Sequence, residues 1–432
     1  MSHHVTHKDI PEGGETFDPA KASGLITPLL GLGVLGLLGS IYFFWAKPAE
    51  FAYSWLFAFF FCFTFVVGGC FWILLNNAAN SSWEVSLRRL FEHLANMVPA
   101  LFVFALPLLL IPSVRESLYE WMVHHREAAA HAGGGTVKES LHHMAEANPH
   151  LHTLYAKYGY LNTTFWYVRF AAYFLILWYI GRTLRGKSLQ QEKDGDIKHT
   201  ILGRTFACRW LLLFALTATF ASVDWVMGID YNWFSTMWGV YIFAGCAWSS
   251  MSLMILLVTY LRSLGYLQKV VTDEHYHLMG KLLFAFTVFW GYIAFSQYFL
   301  IWYANITEET RWYLTRNTEG WRWVSIALVL GHFVGPFVLL LSQPRKKKPA
   351  VVCAVGIWIL LMHMLDIYWN IIPERGPSLG KGVWIAGAWI GDVVAVVTIC
   401  SLMGYVFLRT LGKYSLYQWR NPRLLESANV VN

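Results

Sequence analysis

The chain has 432 residues, of which 56% are hydrophobic, 17% aromatic and only 14% charged. A soluble globular domain carries about 25% charged residues, so these proportions exclude a soluble enzyme fold, a disordered chain and a nucleic-acid-binding protein. The formal net charge of +7 is therefore interpreted as a membrane-topology signal. The sequence predicts an all-α integral membrane protein in contact with a lipid bilayer.

Ten apolar segments of about 20 residues are each long enough to cross a bilayer as a helix. In chain order they are 25–45, 51–75, 93–112, 162–182, 205–226, 234–262, 279–304, 321–342, 351–372 and 383–409. Their apolar runs are continuous rather than alternating, which argues against a transmembrane β-barrel. The fifth and sixth segments are separated only by a short polar turn around Asp230 and Asn232.

The spans divide the chain into two tails, two groups of helices and one long connection. These parts are an N-terminal tail 1–24, helices one to three within 25–112, a His-rich loop 113–161, helices four to ten within 162–409, and a C-terminal tail 410–432. Of the 33 Lys and Arg residues, 22 lie on the side of the two tails, 10 on the opposite side and one inside a span. This bias predicts cytoplasmic termini and a periplasmic loop. The N-terminal tail is acidic and lacks the basic region of a signal peptide.

Neither the cysteines nor the loop histidines form a recognised metal motif. The six cysteines are scattered through apolar segments, without the spacings of zinc, iron–sulfur or covalent haem sites. Seven histidines surround the glycines 133–135 of the loop: His124, His125, His131, His142, His143, His150 and His152. Imidazole is a common metal ligand, but paired histidines beside a glycine hinge do not give a fixed helical spacing. A solvated loop or docking surface is favoured over a metal site, and no metal is predicted.

Ionisable side chains inside a span are expensive to bury and are therefore candidate functional residues. The spans contain six of them: Arg169, Asp224, His332, His363, Asp366 and Asp392. His363 and Asp366 are three residues apart and share one face of the ninth span. At 1.5 Å per residue, all of the six except His332 lie in the outer half of the bilayer.

Several of these candidates also have a purely structural interpretation. For Arg169 and Asp224 the structural interpretation is an ion pair between the two side chains. The Trp and Tyr residues near them would then form the aromatic belt that is normal at a membrane interface. His332 lies between two glycines spaced four residues apart, a pattern that lets a neighbouring helix approach closely. For His332 three interpretations stay open: a packed histidine, a proton relay in the middle of the membrane, or a haem ligand.

The third and seventh spans both begin with Glu and His residues, and the fifth and ninth both end in Asp followed by aromatic residues. Spans two to five would then repeat as spans six to nine, giving two four-helix bundles plus flanking helices. Glu92 and His93, at the start of the third span, are candidates for proton uptake from the cytoplasm. Acidic residues at a helix N-terminus are also expected from the helix dipole alone.

A carboxylate and an imidazole surrounded by Trp and Tyr suit a quinol head group. Oxidation of a quinol releases two protons, so proton acceptors must lie within hydrogen-bonding reach of its hydroxyl groups. Asp224, His363 and Asp366 are the candidates for this quinol or proton site. The candidates for a proton pathway are Arg169, His332, Asp392, Glu92 and His93. Because the chain lacks cluster and covalent haem motifs, electrons would have to be carried by other subunits.

Three stretches of the chain resemble the NrfD/PsrC-like membrane subunits of bacterial alternative complex III. They are FAYSWL at 51–56 with WILLNN at 72–77, SVDW at 222–225 with WFSTMWGVY at 233–241, and DIYWNIIP at 366–373. The resemblance extends from about residue 25 to residue 410, and it also matches the plan of two four-helix bundles.

This resemblance implies a subunit of a respiratory quinol:cytochrome c oxidoreductase in the bacterial inner membrane. The implied partners are a pentahaem and a monohaem cytochrome c, an iron–sulfur subunit and a homologous ten-span subunit. The chain would contribute to quinone or menaquinone binding, to proton translocation, or to both. Haems and iron–sulfur clusters would belong to the partners, with no covalently bound cofactor in this chain, which would not be catalytic alone.

Three other functions remain open from the sequence. Intramembrane charges and an internal repeat also occur in secondary transporters, although these usually show helices interrupted by Gly or Pro at matching positions. A structural scaffold of the complex is a second alternative. A di-haem b cytochrome needs two His pairs, whereas only His332 and His363 lie well inside the membrane.

Overall fold

Long apolar helices dominate the structure, a computed structural model that describes residues 5–318, 320–378 and 387–431. Helix accounts for 80% of the protein, and the described ranges contain no β-strand, only an isolated bridge between Thr16 and Ser415. Helices satisfy backbone hydrogen bonds within one segment, which the interior of a bilayer requires. The prediction of an all-α integral membrane protein that crosses the membrane several times is confirmed.

Ten helices correspond to the ten predicted spans. They are α1 (Ser23–Ala46), α2 (Pro48–Ala78), α3 (Arg88–Leu110), α4 (Thr163–Asp194), α5 (Lys198–Trp225), α6 (Trp238–Ser263), α7 (Asp273–Ala304), α8 (Trp321–Leu341), α9 (Pro349–Ile371) and α10 (Trp389–Leu411). Among the described residues, nine helices are long and apolar enough to cross a membrane, and α4 is the one of the ten outside that set. With 32 residues, α4 is nevertheless about 48 Å long.

Several helix bounds differ from the sequence prediction. Helix α3 begins at Arg88 instead of residue 93 and is interrupted at residues 96–97, just before Pro99, which cannot donate a backbone hydrogen bond. Helix α4 continues 12 residues beyond 182, because its polar end is also packed and Glu192 pairs with Arg89 at 2.6 Å. Hydropathy detects only the apolar part of such a helix. Residues 1–4, 383–386 and 432, which belong to the predicted tails and tenth span, lie outside the described residues.

The helices pack as two groups with two flanking members. Helix α2 contacts α3, α4 and α5, while α6 contacts α7 and α9, and α8 lies against α7 and α9. The groups meet where α2 packs on α6, and α1 packs on α10 at the edge. At Gly68 of α2 a Cβ atom would lie 2.2 Å from the Cys246 carbonyl oxygen of α6, so this contact requires glycine. The packing agrees with the predicted two four-helix bundles plus flanking helices.

Both terminal segments pack at one end of the bundle, here called the terminal side; the opposite end is the loop side. The backbone N–H of Leu416 donates to the Glu15 carbonyl at 2.7 Å, and the N–H of Val5 donates to the Asn429 side chain at 2.7 Å. The predicted tails are therefore not free chains in their described parts. They cover the terminal side of the helices.

The long connection on the loop side is largely helical, which was not predicted from the sequence. Its helices are Pro112–Leu118, Glu120–His131, Val137–Ala147 and His152–Ala156. Gly133 and Gly134 have positive φ angles of 50° and 109° and form the turn between two of these helices. The sequence gives little indication of these helices because each is short and is stabilised by packing on the others.

His125 makes this connection sensitive to acid. Its side chain is 5% exposed, and its ring packs against those of Trp121 and Tyr158 at centroid distances of 5.4 Å. Burial, with a smaller contribution from His124, lowers the pKa of His125 to about 4. An exposed histidine has a pKa of about 6.5, so the unfolded connection binds the proton more readily. The folded connection is therefore most stable with respect to His125 above pH ~6.5, where this side chain is neutral in both states. This stability is lost as the pH falls towards 4, because the unfolded connection takes up the proton first.

We therefore expect hydrogen exchange in residues 112–161, corrected for intrinsic rates, to be faster at pH 5 than at pH 7. His125→Phe should remove most of this difference because the ring packing stays and the titrating group is gone. His152→Gln, an exposed position in the same connection, is the matched control. An equal pH effect in His125→Phe and in the unmodified protein would contradict this assignment.

Candidate functional site

Three of the predicted intramembrane residues meet in one buried cluster between α8 and α9. His332, His363 and Asp366 each have at most 1% of their surface exposed. Each contributes a nitrogen or oxygen atom that lies within 4.8 Å of the others. His332 lies 11 residues into α8, about 16 Å from its loop-side end, whereas Asp366 lies five residues, about 8 Å, from the loop-side end of α9. The cluster therefore extends from near the loop side towards the middle of the membrane.

A local change in helix type positions His332. Helix α8 is a π-helix over Leu328–Val334, and such wider turns often occur at functional sites. The imidazole lies between the rings of Trp248 and Trp290, at centroid distances of 4.4 and 4.3 Å. Neither ring nitrogen has a hydrogen-bond partner in the described part of the chain. His332 is thus held by ring packing alone, with both nitrogens free to bind or release a proton.

His363 connects this cluster to the other bundle. Its Nε2 atom lies 3.0 Å from the hydroxyl oxygen of Thr64 on α2, while its Nδ1 atom has no partner among the described residues. A Cβ atom at position 245 would lie 2.8 Å from the His363 ring, so Gly245 of α6 leaves the room that the imidazole occupies. The ring is therefore held between α2 and α6, with one nitrogen that has no hydrogen-bond partner among the described residues.

Asp366 is bound by neutral hydrogen-bond donors. The hydroxyl of Tyr241 on α6 donates to its Oδ1 atom. The side-chain amide of Asn370 donates to the same oxygen at 3.3 Å and to the Asp366 carbonyl at 2.7 Å. No Lys or Arg forms an ion pair with Asp366 in the ranges that the structure describes. A buried carboxyl group with neutral partners can exchange a proton without breaking a salt bridge.

A cavity of about 1070 Å³ lies between α7 and α8 on the loop side and reaches two residues that contact this cluster. Tyr241 and Trp290 line its inner part. Its outer wall includes Tyr292, Phe295 and Val329, which are 58–65% exposed on the apolar surface of the helices. The cavity thus extends from the lipid-facing surface to Tyr241, whose hydroxyl donates to Asp366. Its size and its largely apolar and aromatic lining are typical of sites for small apolar ligands.

Asp224 belongs to a separate ion pair. Arg169 binds both of its carboxylate oxygens, with Nε–Oδ2 and Nη2–Oδ1 distances of 2.7 and 2.9 Å, and the Tyr173 hydroxyl donates to Oδ2 at 2.6 Å. The guanidinium also stacks on the ring of Tyr160 at 3.9 Å. The described residues show no contact between Asp224 and the cluster of His332, His363 and Asp366. This is the structural interpretation that the sequence left open for Arg169 and Asp224.

Asp392 is also paired, at the boundary between α10 and α2. Arg375 donates to its two oxygens at 2.7 and 3.3 Å, Ser54 donates at 2.6 Å and Tyr368 at 3.0 Å. Tyr368 lies on α9, two residues after Asp366, so this network covers another face of the same helix. All four potential acceptor sites of the carboxylate are used in positioning helices, which favours a structural role.

The two bundles use their carboxylates differently. Asp224 lies near the loop-side end of α5 and Asp366 near that of α9, the helix that corresponds to α5 in the predicted repeat. A tyrosine hydroxyl binds each of them, from Tyr173 and Tyr241 respectively. Only Asp224 is also bound by an arginine among the described residues. The geometry therefore distinguishes a carboxylate held in an ion pair from a carboxyl group bound by neutral donors.

Glu92 and His93 lie at the terminal side, apart from this cluster. The Gln418 amide donates to Glu92 at 3.0 Å, and the guanidinium of Arg89 lies 3.6 Å from the other carboxylate oxygen. The His93 Nε2 atom lies 3.0 Å from the Phe407 carbonyl oxygen. These contacts connect α3 with α10 and the C-terminal segment. They also keep the two titratable groups buried near the terminal surface, where proton uptake was predicted.

The sequence prediction did not include several residues that shape these sites. Asn370 was recognisable, since it lies four residues after Asp366 and hence on the same helical face. Tyr241 was only part of a stretch quoted for the family resemblance, and Arg375 lies outside the predicted spans. Their roles depend on contacts between helices that are distant in sequence, which residue spacing does not reveal.

The cluster around Asp366 brings together one carboxyl group and two imidazoles, which are chemical groups used in proton transfer. Tyr241 lines the neighbouring cavity and donates to Asp366. Comparison of the sequence with known proteins finds no matching family model and no curated protein with significant similarity.

Proposed function

We propose that this chain is a membrane subunit of a quinol:cytochrome c oxidoreductase, the ActF-type NrfD-like subunit of alternative complex III. In this proposal the site around Asp366 binds a quinone or quinol head group and exchanges protons with it. One observation carries the proposal: Tyr241 lines a cavity that opens at the lipid-facing surface, and its hydroxyl donates a hydrogen bond to Asp366. A lipid-soluble hydroxyl compound reaching the cavity would meet a proton acceptor at its inner end.

The residues of the chain would handle the protons, and partner subunits the electrons. Oxidation of a quinol to the quinone releases two electrons and two protons. Asp366, reached through Tyr241, is the first proton acceptor, and His363 and His332 continue the path towards the middle of the membrane. Haems and iron–sulfur clusters in the partner subunits would accept the electrons. The partners are a pentahaem and a monohaem cytochrome c, an iron–sulfur subunit and a homologous ten-span subunit.

The excess of Lys and Arg on the terminal side supports cytoplasmic termini in a bacterial inner membrane. The cavity and Asp366 would then lie in the periplasmic half of the bilayer. Glu92 and His93 would lie at the cytoplasmic surface. A proton path between these two ends would cross the region of His332.

A structural scaffold is the second candidate function. The ion pairs Arg169–Asp224 and Arg375–Asp392 favour it, because both use predicted site residues to connect helices. For this reason Asp224 and Asp392 are assigned to structural positions and Asp366 to the quinol or proton site.

Photolabelling tests the proposal directly. The purified full chain in lipid nanodiscs is irradiated with short-tailed azido derivatives of ubiquinone and menaquinone, and the labelled peptides are mapped by mass spectrometry. We expect labels on α7 and α8 around Trp290 and Val329, and at least about tenfold less label in Ala294→Phe, which fills the cavity. Leu35→Phe on the exposed surface of α1 is the matched control. Label spread over all lipid-facing helices, unchanged by Ala294→Phe, would favour the scaffold instead.

A further inference from the structure

The helix Val137–Ala147 on the loop side presents two imidazoles around one carboxylate. Successive residues of a helix are about 100° apart, so Glu146 lies at about 40° between His142 at 0° and His143 at 100°. In the structure the Nδ1 atom of His142 is 3.6 Å from one oxygen of Glu146, and the Nδ1 atom of His143 is 3.3 Å from the other. The three side chains each offer a ligand atom within 4.8 Å of the others.

These distances are close to those of a metal site. Zinc bonds of about 2.0–2.1 Å in a tetrahedral arrangement place neighbouring ligand atoms about 3.3 Å apart. Two of the three separations therefore need little adjustment. The third separation, between the ligand nitrogens of His142 and His143, can shorten by rotation of the two imidazole rings. Both rings have room to rotate, since the side chains are 45% and 78% exposed. The residues are open to the aqueous phase, so an ion can reach them.

The supporting helix is held in place independently of any ion. Thr136 and Glu139 form reciprocal hydrogen bonds at its N-terminus, an arrangement that stabilises the first turn. Leu141 and Ala145 are buried on another face of the helix. The ring of His142 also packs on that of Tyr155 at a centroid distance of 4.8 Å. The ligands therefore start from a restricted geometry, which reduces the entropy cost of binding.

We propose that His142, His143 and Glu146 bind a divalent transition-metal ion of the Zn²⁺ class. Two imidazole nitrogens and one carboxylate are a ligand set that zinc uses, and three protein ligands leave a fourth position for water or for a ligand from another molecule. The site lies in the helical connection, away from the cluster around Asp366, and is independent of the function proposed above. It also departs from the sequence prediction of no metal, which did not include Glu146.

Zinc titration of the purified full chain tests this site. After treatment with a chelator and its removal, ZnCl₂ binding is measured by calorimetry at pH 7.5. We expect His143→Ala and Glu146→Gln each to weaken one binding event at least about tenfold. His150→Ala, an exposed histidine of the same connection, is the matched control and should leave that event unchanged. Circular dichroism and the thermal transition confirm that each variant is folded.

Cobalt provides a second readout that does not depend on calorimetry. Co²⁺ bound to imidazole and carboxylate ligands gives visible absorption bands, which we expect in the unmodified chain and not in Glu146→Gln. Binding should also weaken at least about tenfold between pH 7.5 and pH 5.5, because imidazole must be deprotonated to bind a metal. Identical zinc titrations and cobalt spectra for the unmodified chain, His143→Ala and Glu146→Gln would overturn the proposal, and so would equal weakening by His150→Ala.

Discussion

Replacing Asp366 by Asn is expected to lower quinol-dependent reduction of cytochrome c by the assembled complex about a hundredfold. Proton transfer by a positioned side chain contributes about 10²–10⁴-fold to a rate. Asparagine keeps the shape of the side chain and can still accept the hydrogen bond from Tyr241, but it cannot take up a proton. The measurement is steady-state turnover of the purified complex, with its subunit content checked by native electrophoresis.

Three further variants separate proton exchange from packing at this position. Asp366→Glu restores a titratable group and is expected to recover part of the turnover. Tyr241→Phe removes the hydroxyl between the cavity and Asp366, so it should lower turnover and leave assembly unchanged. Asp230→Asn changes a buried carboxylate outside the site and serves as the control. A fully assembled Asp366→Asn complex with unmodified turnover and proton release would refute the role proposed for this residue.

Replacing Arg169 by Ala is expected to lower the free energy of unfolding by about 3–5 kcal/mol, because it leaves the charge of Asp224 buried without its partner. The Asp224 side chain is 1% exposed and the Arg169 side chain 9% exposed. Water can therefore do little to solvate the Asp224 carboxylate once the Arg169 guanidinium is removed. Denaturant unfolding of the purified chain in mild detergent, followed by tryptophan fluorescence, measures the change.

The control for this effect is an ion pair of similar chemistry at the surface. The side chains of Arg126 and Glu116 form an ion pair and are 62% and 23% exposed, and exposed pairs contribute only about 0–1 kcal/mol. Arg126→Ala should therefore have little effect. The double variant Arg169→Leu with Asp224→Leu should recover part of the loss, since no unpaired charge stays buried. A loss below about 1 kcal/mol in Arg169→Ala would show that water or lipid head groups reach Asp224.

Much of the fold could be predicted because the bilayer imposes a strong and local requirement. A span needs about 20 consecutive apolar residues. For α2, α6 and α9 this run is recognisable from the order of residues in the chain alone. The bounds of α3 and α4 were wrong at their polar ends. There the helix continues because Arg89 and Glu192 are packed against each other, a contact between residues more than 100 positions apart.

The candidate site could be predicted only in part. His363 and Asp366 share a helical face, so their proximity follows from spacing alone. The sequence prediction also placed Asp224 in the same site, but the described residues show no contact between Asp224 and this cluster. Two residues can lie near the same surface of the membrane on helices that are not neighbours. The sequence prediction did not associate Glu146 with His142 and His143. Residues three or four positions apart lie on one face only in a helix, and no helix was predicted for this connection.

The sequence by itself determined that this protein crosses the membrane repeatedly, since hydropathy and helical period are properties of consecutive residues. It also singled out six ionisable residues within the predicted spans, and all six are buried in the structure. Only the tertiary structure decided which of their charges are neutralised. Arg169 pairs with Asp224 and Arg375 with Asp392, whereas Asp366 is bound by Tyr241 and Asn370. The difference arises because an ion pair depends on a distance of a few ångströms between separate helices, and helix packing sets that distance.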